Sequence, residues 1–156
     1  MKKLLAGAVF GVAALSIATA AVAQTKPEDA IKFRQAGYAF MAWNMGKIKA
    51  QVVDGAVPYN KDQVAAAASV IAAVANSGMG ALYPAGSDKG SGFHETKVKG
   101  EFFTDGEGVA KVAVSFNKAA NDLAAAAATG DQGAIKAAFG EVGKACKACH
   151  DSYRAK

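Results

Sequence analysis

Cysteine is scarce in this chain: there are two among 156 residues, and both stand close together as Cys146 and Cys149. A bridge between them would close a loop too short to stabilise the fold much. A disulfide-stapled scaffold is therefore excluded, and chemistry explains the pair better than stapling does. Histidine is equally scarce. His94 and His150 are the only two, so a four-ligand zinc site is poorly supplied. Only three prolines interrupt the chain. No stretch alternates apolar and polar residues with period two, so long helices are expected and strands are not. Past the N-terminal segment there is no long run of like charge and no second hydrophobic span.

That N-terminal segment is the first feature present. Lys2 and Lys3 precede an apolar run from Leu4 to Ala18, and Ala21-Val22-Ala23 is a small-residue cleavage pattern. This reads as a secretory signal peptide, residues 1–23, cut after Ala23. The run is short for a retained membrane anchor, so none is expected after cleavage. The remaining chain, Gln24 to Lys156, suits one domain with one core. Export points to the periplasm. Losing Lys2 and Lys3 takes the formal charge from +5 to +3, which does not argue for nucleic acid and favours an acidic protein partner.

Four segments carry helical periodicity. The first starts at Pro27, with Glu28 and Asp29 in its first turn, and its stripe is Ile31, Arg34, Tyr38, Met41, Met45, Ile48 and Val52. It stops at Asp54-Gly55. The second opens at Asn60, with Gln63 completing a capping box, and its stripe runs from Val64 through Ile71 to Ala75. The third opens at Thr104 with Glu107 as a second capping box, and its stripe includes Val109, Phe116 and Leu123. The fourth opens near Asp131, with Ile135, Val142, Cys146, Cys149 and Tyr153 on one face. The first and third connections are short, whereas Gly80 to Gly100 is long and rich in breakers. The expected fold is all-α, an antiparallel up-down-up-down four-helix bundle. Abundant alanine on the seams lets backbones approach, although alanine is also simply a good helix former.

Cys146-Lys147-Ala148-Cys149-His150 is C-x-x-C-H, the attachment motif for a c-type haem. Two thiols three residues apart lie on one helical face, where each can join a vinyl group on the same edge of a porphyrin. His150 follows directly, so its imidazole can reach the iron. A thioredoxin-like dithiol would need a βαβ setting, which this chain lacks. Arg34 is out of place on an apolar stripe. It either snorkels to solvent or pairs with an anion such as a haem propionate. The sixth iron position separates an electron carrier, which fills it, from a gas-binding site, which leaves it open. Met41 and Met45 lie on the seam beyond Tyr38, and methionine there is more often core than ligand.

With these residues in view, the chain resembles the cytochrome c′ family, the high-spin four-helix class of c-type cytochromes. The resemblance rests on Lys26-Pro27-Glu28-Asp29-Ala30, Arg34-Gln35, Met41-Ala42, Pro58-Tyr59, Ala138-Phe139-Gly140-Glu141-Val142-Gly143, the haem motif and Tyr153-Arg154. A haem motif at the extreme C-terminus is itself discriminating, because ordinary small cytochromes c place it early. The resemblance implies one covalent haem c and five-coordinate iron with His150 as its only protein ligand. It implies that Arg34 and Gln35 stand beside the propionates, that Tyr38 and Leu82 lie on the distal side, and that Ser87 and Asp88 approach the haem edge. Arg154 would shield the proximal face. Where many members carry a tryptophan after the long loop, this chain has Phe102-Phe103.

The function implied is binding of small gases, nitric oxide or carbon monoxide, with electron transfer to a redox partner protein as the accompanying role, and no enzymatic activity. Nitric oxide scavenging or tolerance is the role the resemblance suggests, with the iron–His150 bond open to loss when nitric oxide binds. One alternative is a low-spin electron carrier with Met41 as sixth ligand. A second is a peroxidase using His94, the one spare histidine. Phe33, Gly37 and Phe40, with Trp43 beside them, form a second apolar face on the first helix. That face could pack on a symmetric copy to make a homodimer, or it could merely widen the core stripe.

Overall fold

Pro27 opens the first helix because its missing N–H costs nothing there, and the acidic Glu28 and Asp29 complement the helix dipole. This helix, α1 (Pro27–Ile48), continues into a π-helical turn, Lys49–Val53, before Asp54 ends it. The computed structural model describes residues 25–156; the expected signal peptide, residues 1–23, lies outside them. Three further helices follow: α2 (Lys61–Ala75), α3 (Gly106–Thr129) and α4 (Gln132–Tyr153). Short 3-10 turns at Met79–Leu82 and Gly100–Phe103 punctuate the long connection. Among the described residues β structure is limited to the isolated bridges Ser91–Glu95 and Val98–Arg154.

The caps explain where the helices begin. The Asn60 side chain accepts from the Gln63 N–H, half of the expected capping box. The other half is taken by Gln51, which the π-helical turn directs inward: its Oε1 accepts from the Asn60 N–H, and its Nε2 donates to Gln63. Asp131 caps α4 through Gly133 and Ala134. At α3 the expectation needs correcting. The cap is Asp105, which accepts from the Gly108 N–H, while the Thr104 hydroxyl turns back to the Glu101 carbonyl. A carboxylate is the stronger acceptor at the positive end of a helix, so it displaces the neighbouring hydroxyl.

Each helix packs on the next in sequence, α1 on α2, α2 on α3 and α3 on α4, while the π-helical end of α1 closes the ring onto α4. Ile48, Val64, Ile71, Leu123, Ile135 and Val142 are buried at the centre. Ala67, Ala68, Ala120 and Ala127 are fully buried between them, so the alanine seams do bring helices together. No helix among the described residues is long and apolar enough to cross a membrane.

The second apolar face of α1 is only partly as expected. Phe33, Phe40 and Trp43 are 55%, 49% and 59% exposed, so they do not widen the core stripe. Gly37 does not belong with them. It faces inward, where a Cβ would meet the Met79 methyl at 3.1 Å.

Candidate functional site

Val142 and Ala145 are buried on α4, and this fixes the same helical face, which carries Cys146 and Cys149, towards the interior. Both thiols are free and half-buried, and Cys146 packs on the core. Burial pushes both thiols upward from their ordinary pKa, and the neighbouring Cys149 pushes Cys146 further. They are therefore protonated thiols, unlike the low-pKa thiolates that dithiol exchange requires. His150, on the last turn, is exposed. Its imidazole pKa is lowered, first by partial burial and then by the Arg154 guanidinium. A neutral imidazole is the form that ligates a metal. It lines an open groove of about 590 Å³ with Lys99, Asp151 and Arg154. No group of three or more potential metal-ligating His, Cys, Asp or Glu side chains occurs among the described residues, which leaves a protein-only zinc site without ligands. Two unpaired thiols one turn apart and an adjoining neutral imidazole do fit a covalently attached haem.

Across from this face stand two phenols. The Tyr38 and Tyr83 hydroxyls are 3.0 Å apart. Both lie close enough to Cys149 for the ionisation of one group to bear on the others, and partial burial raises the pKa of each phenol. Tyr83 stacks on Phe102 with centroids 4.3 Å apart, and Phe102 meets the edge of Tyr153 at 5.8 Å. The Tyr153 hydroxyl donates to Asp105 Oδ2 at 2.6 Å. That bond pushes the Tyr153 pKa up to about 12 and lowers that of Asp105.

Arg34 does not snorkel. It is 2% exposed. Its guanidinium donates to the Leu82 carbonyl at 3.0 Å, to Ser87 Oγ at 2.8 Å, to the Ser87 carbonyl at 2.5 Å and to Thr96 Oγ1 at 2.8 Å. It also lies over the Tyr83 ring, 4.5 Å from the centroid. All these partners are neutral, and desolvation lowers its pKa. Gln35, one residue on, grips the same connection. Its Oε1 accepts from the Phe93 N–H at 2.8 Å, and its Nε2 donates to the His94 carbonyl at 2.8 Å.

The structure thus brings Cys146, Cys149 and Tyr38 near one another, and Arg34, Leu82 and Ser87 into one cluster beneath Tyr83. Asp88, beyond Ser87, is half-buried and forms no ion pair with Arg34. Arg154 stays beside His150, its N–H bonded to the His150 carbonyl at 3.2 Å. Met41 is enclosed in the hydrophobic core. His94 sits exposed in the loop, with Nδ1 3.0 Å from Gln35 Nε2. Sequence reasoning missed Tyr83, Phe102, Thr96 and the Asp105–Tyr153 pair. The only signal was the clustering of aromatics at either end of the long connection.

Comparison with known proteins gives a consistent result. The family model described as Cytochrome C' matches residues 29–154. A cytochrome c' of Allochromatium vinosum is 57% identical over 157 residues, spanning 100% of both chains. Among solved structures, a cytochrome c' described as having an unusual ligand-controlled dimer dissociation is 59% identical. It covers 85% of this chain and 98% of its own, with a TM-score of 0.79. A nitric oxide complex of a variant cytochrome c prime from Alcaligenes xylosoxidans is 35% identical, covering 85% of this chain and 98% of its own, with a TM-score of 0.74.

Proposed function

The chain belongs to the cytochrome c′ family, whose members carry one covalent haem c, and from that premise we propose that it is a periplasmic mono-haem protein in which His150 is the only protein ligand to iron. The mature domain would be residues 24–156, cut from the signal peptide 1–23. The alignment with the Allochromatium relative runs through that leader.

One observation carries the reading. Cys146 and Cys149 are unpaired, half-buried thiols one helical turn apart with His150 next to them, while Met41, the candidate sixth ligand, is 6% exposed inside the core. When bound, the haem supplies an iron that takes up a diatomic gas and exchanges single electrons. Cys146 and Cys149 would hold it by thioether links, and His150 would offer a neutral imidazole. Tyr38 would present a large ring on the gas-binding side. Its hydroxyl is held by Tyr83, so the pocket is dominated by aromatic and apolar surface. Such a setting favours nitric oxide and carbon monoxide over dioxygen, whose bound form is polar. Arg34 is a buried cation with no carboxylate neighbour, the setting that a haem propionate would complete. Gln35 fixes the adjoining loop and Ser87 holds Arg34; Leu82 would stand on the gas-binding side of the haem and Asp88 would approach its edge. Arg154 shields His150.

The peroxidase alternative would need His94 as its acid/base, and His94 sits exposed in the loop with Nδ1 3.0 Å from Gln35 Nε2. A homodimer through Phe33, Phe40 and Trp43 is part of the proposal. Those side chains are exposed, and a relative of high identity is described as a dimer whose dissociation is ligand-controlled. The positive balance suits an acidic redox partner. The test is the visible spectrum of the purified protein, oxidised, reduced, and with carbon monoxide or nitric oxide added. A high-spin spectrum that responds to both gases is expected. A low-spin spectrum with a methionine–iron band would overturn the reading.

A further inference from the structure

We propose that Asp105 and Tyr153 are positioning residues for His150, holding the last turn of α4 so that its imidazole cannot swing away; this rests on the reading that His150 ligates iron. The Asp105 carboxylate serves two elements at once. Its Oδ1 accepts from the Gly108 N–H at 2.9 Å and caps α3, while its Oδ2 accepts from the Tyr153 hydroxyl at 2.6 Å. The start of α3 is thereby tied to the end of α4. Tyr153 lies three residues after His150, on the turn that carries it, and is 7% exposed. The slot is cut to size, since a Cβ on Gly108 would collide with Asp105 Oδ2 and with the Tyr153 hydroxyl.

The same turn is gripped from its other side. The Lys99 N–H donates to the Tyr153 carbonyl at 2.9 Å, and the Lys99 ammonium donates to the Ser152 carbonyl at 3.0 Å. Helix ends fray unless they are tied down. Here the last turn of α4 is tied by the Asp105 carboxylate and by Lys99. Phe102 packs nearly perpendicular to Tyr153 and stacks on Tyr83. The anchor of the His150 turn is therefore continuous, through one aromatic ring, with the Tyr38–Tyr83 pair.

Resonance Raman of the ferrous holoprotein tests this through the iron–imidazole stretching band. Amide hydrogen exchange at Arg154 provides a second readout, since the Arg154 N–H bonds the His150 carbonyl. Tyr153→Phe keeps the ring on Phe102, and Asp105→Asn keeps a side chain that caps helices well, so both variants are expected to fold. The expected result is that both shift the band in the same sense and speed Arg154 exchange several-fold. The double variant should add nothing to Tyr153→Phe, because both substitutions act on the same bond, which Asp105→Asn weakens by removing the carboxylate charge and Tyr153→Phe deletes. Tyr59→Phe deletes a comparable hydroxyl bond, to the Gly130 carbonyl at the far end of α4, and is expected to lower the melting temperature without moving the band. If Tyr153→Phe and Asp105→Asn lower stability like Tyr59→Phe and leave band and exchange unchanged, the pair is merely structural and the inference is overturned. A wild-type protein that shows no iron–imidazole band would instead sink the ligation reading itself, and this inference with it.

Discussion

The hydroxyl of Tyr38 on α1 lies 3.0 Å from that of Tyr83, which follows the 3-10 turn 79–82. The two phenols, 45 residues apart in sequence, form one polar contact beside the stacked rings of Tyr83 and Phe102. Each raises questions about gas access that a single substitution can answer.

Truncating Tyr38 to alanine removes the ring that stands over the cysteine face. Carbon monoxide association with the ferrous protein should then accelerate on the order of tenfold, equivalent to about 1.4 kcal/mol of steric barrier. Tyr38→Phe keeps the ring and should change the rate little, but it leaves the Tyr83 hydroxyl without its partner at about 1 kcal/mol in stability. Flash photolysis and urea unfolding measure the two effects. Equal carbon monoxide rates in wild type and Tyr38→Ala would show that the ring does not gate the site.

Arg34→Met should be much more damaging than its conservative shape suggests. It strips donors from the Leu82 carbonyl, both Ser87 oxygens and the Thr96 hydroxyl. Orphaned buried acceptors cost about 1–3 kcal/mol each where water cannot reach them; only the two Ser87 bonds are fully buried, so a total loss of about 3 kcal/mol is expected. Arg34→Lys should recover only part of it, since one ammonium cannot reproduce the fork. Limited proteolysis should show new cleavage between residues 84 and 98 in Arg34→Met. A loop as protected as in wild type would contradict this account.

Much of this architecture was legible in the residues. The apolar stripes and the Asn60 and Asp131 caps are local signals, and local signals decide helix boundaries in a bundle. The haem motif is five consecutive residues and needs no tertiary information. The partners of Arg34 were not legible, because two of its four acceptors are backbone carbonyls, and any sequence supplies those. The Asp105–Tyr153 contact spans 48 residues and depends on the absence of a side chain at Gly108. The choice of Asp105 over Thr104 as the α3 cap was a contest between two adjacent good caps. The inward turn of Gln51 depends on a π-helical turn that periodicity does not announce.

The Asp105–Tyr153 bond carries its own pH signature. Its acceptor holds the Tyr153 pKa up at about 12, above the ordinary phenol value. Between pH 10 and that value the unfolded chain releases the phenol proton while the native state keeps it, so the stabilisation falls as pH rises through this window. At the acid end Asp105 is depressed below its ordinary value, so its contribution is present above the unfolded carboxyl pKa and is lost as pH falls through the native one. The stability difference between wild type and Tyr153→Phe should therefore be widest at neutral pH and shrink at both extremes. Chemical unfolding across pH would record it, and a difference independent of pH would speak against the bond.

The exposed face of α1 makes the last prediction. Phe40 and Trp43 stack with centroids 5.7 Å apart, and the Lys47 ammonium lies 3.9 Å from the Trp43 ring centroid. The aromatic surface is thus organised before any partner arrives, which lowers the ordering cost of association. Replacing Trp43 with lysine puts a second cation beside Lys47, and in the proposed two-fold dimer the substitution enters the interface twice, once from each copy. Trp43→Lys should therefore be monomeric at concentrations where wild type is dimeric, by sedimentation velocity. The folded monomer should lose no more than about 0.5 kcal/mol, because the ring is 59% exposed and contributes little to the core. A variant that still sediments as wild type does would place the interface elsewhere on the bundle.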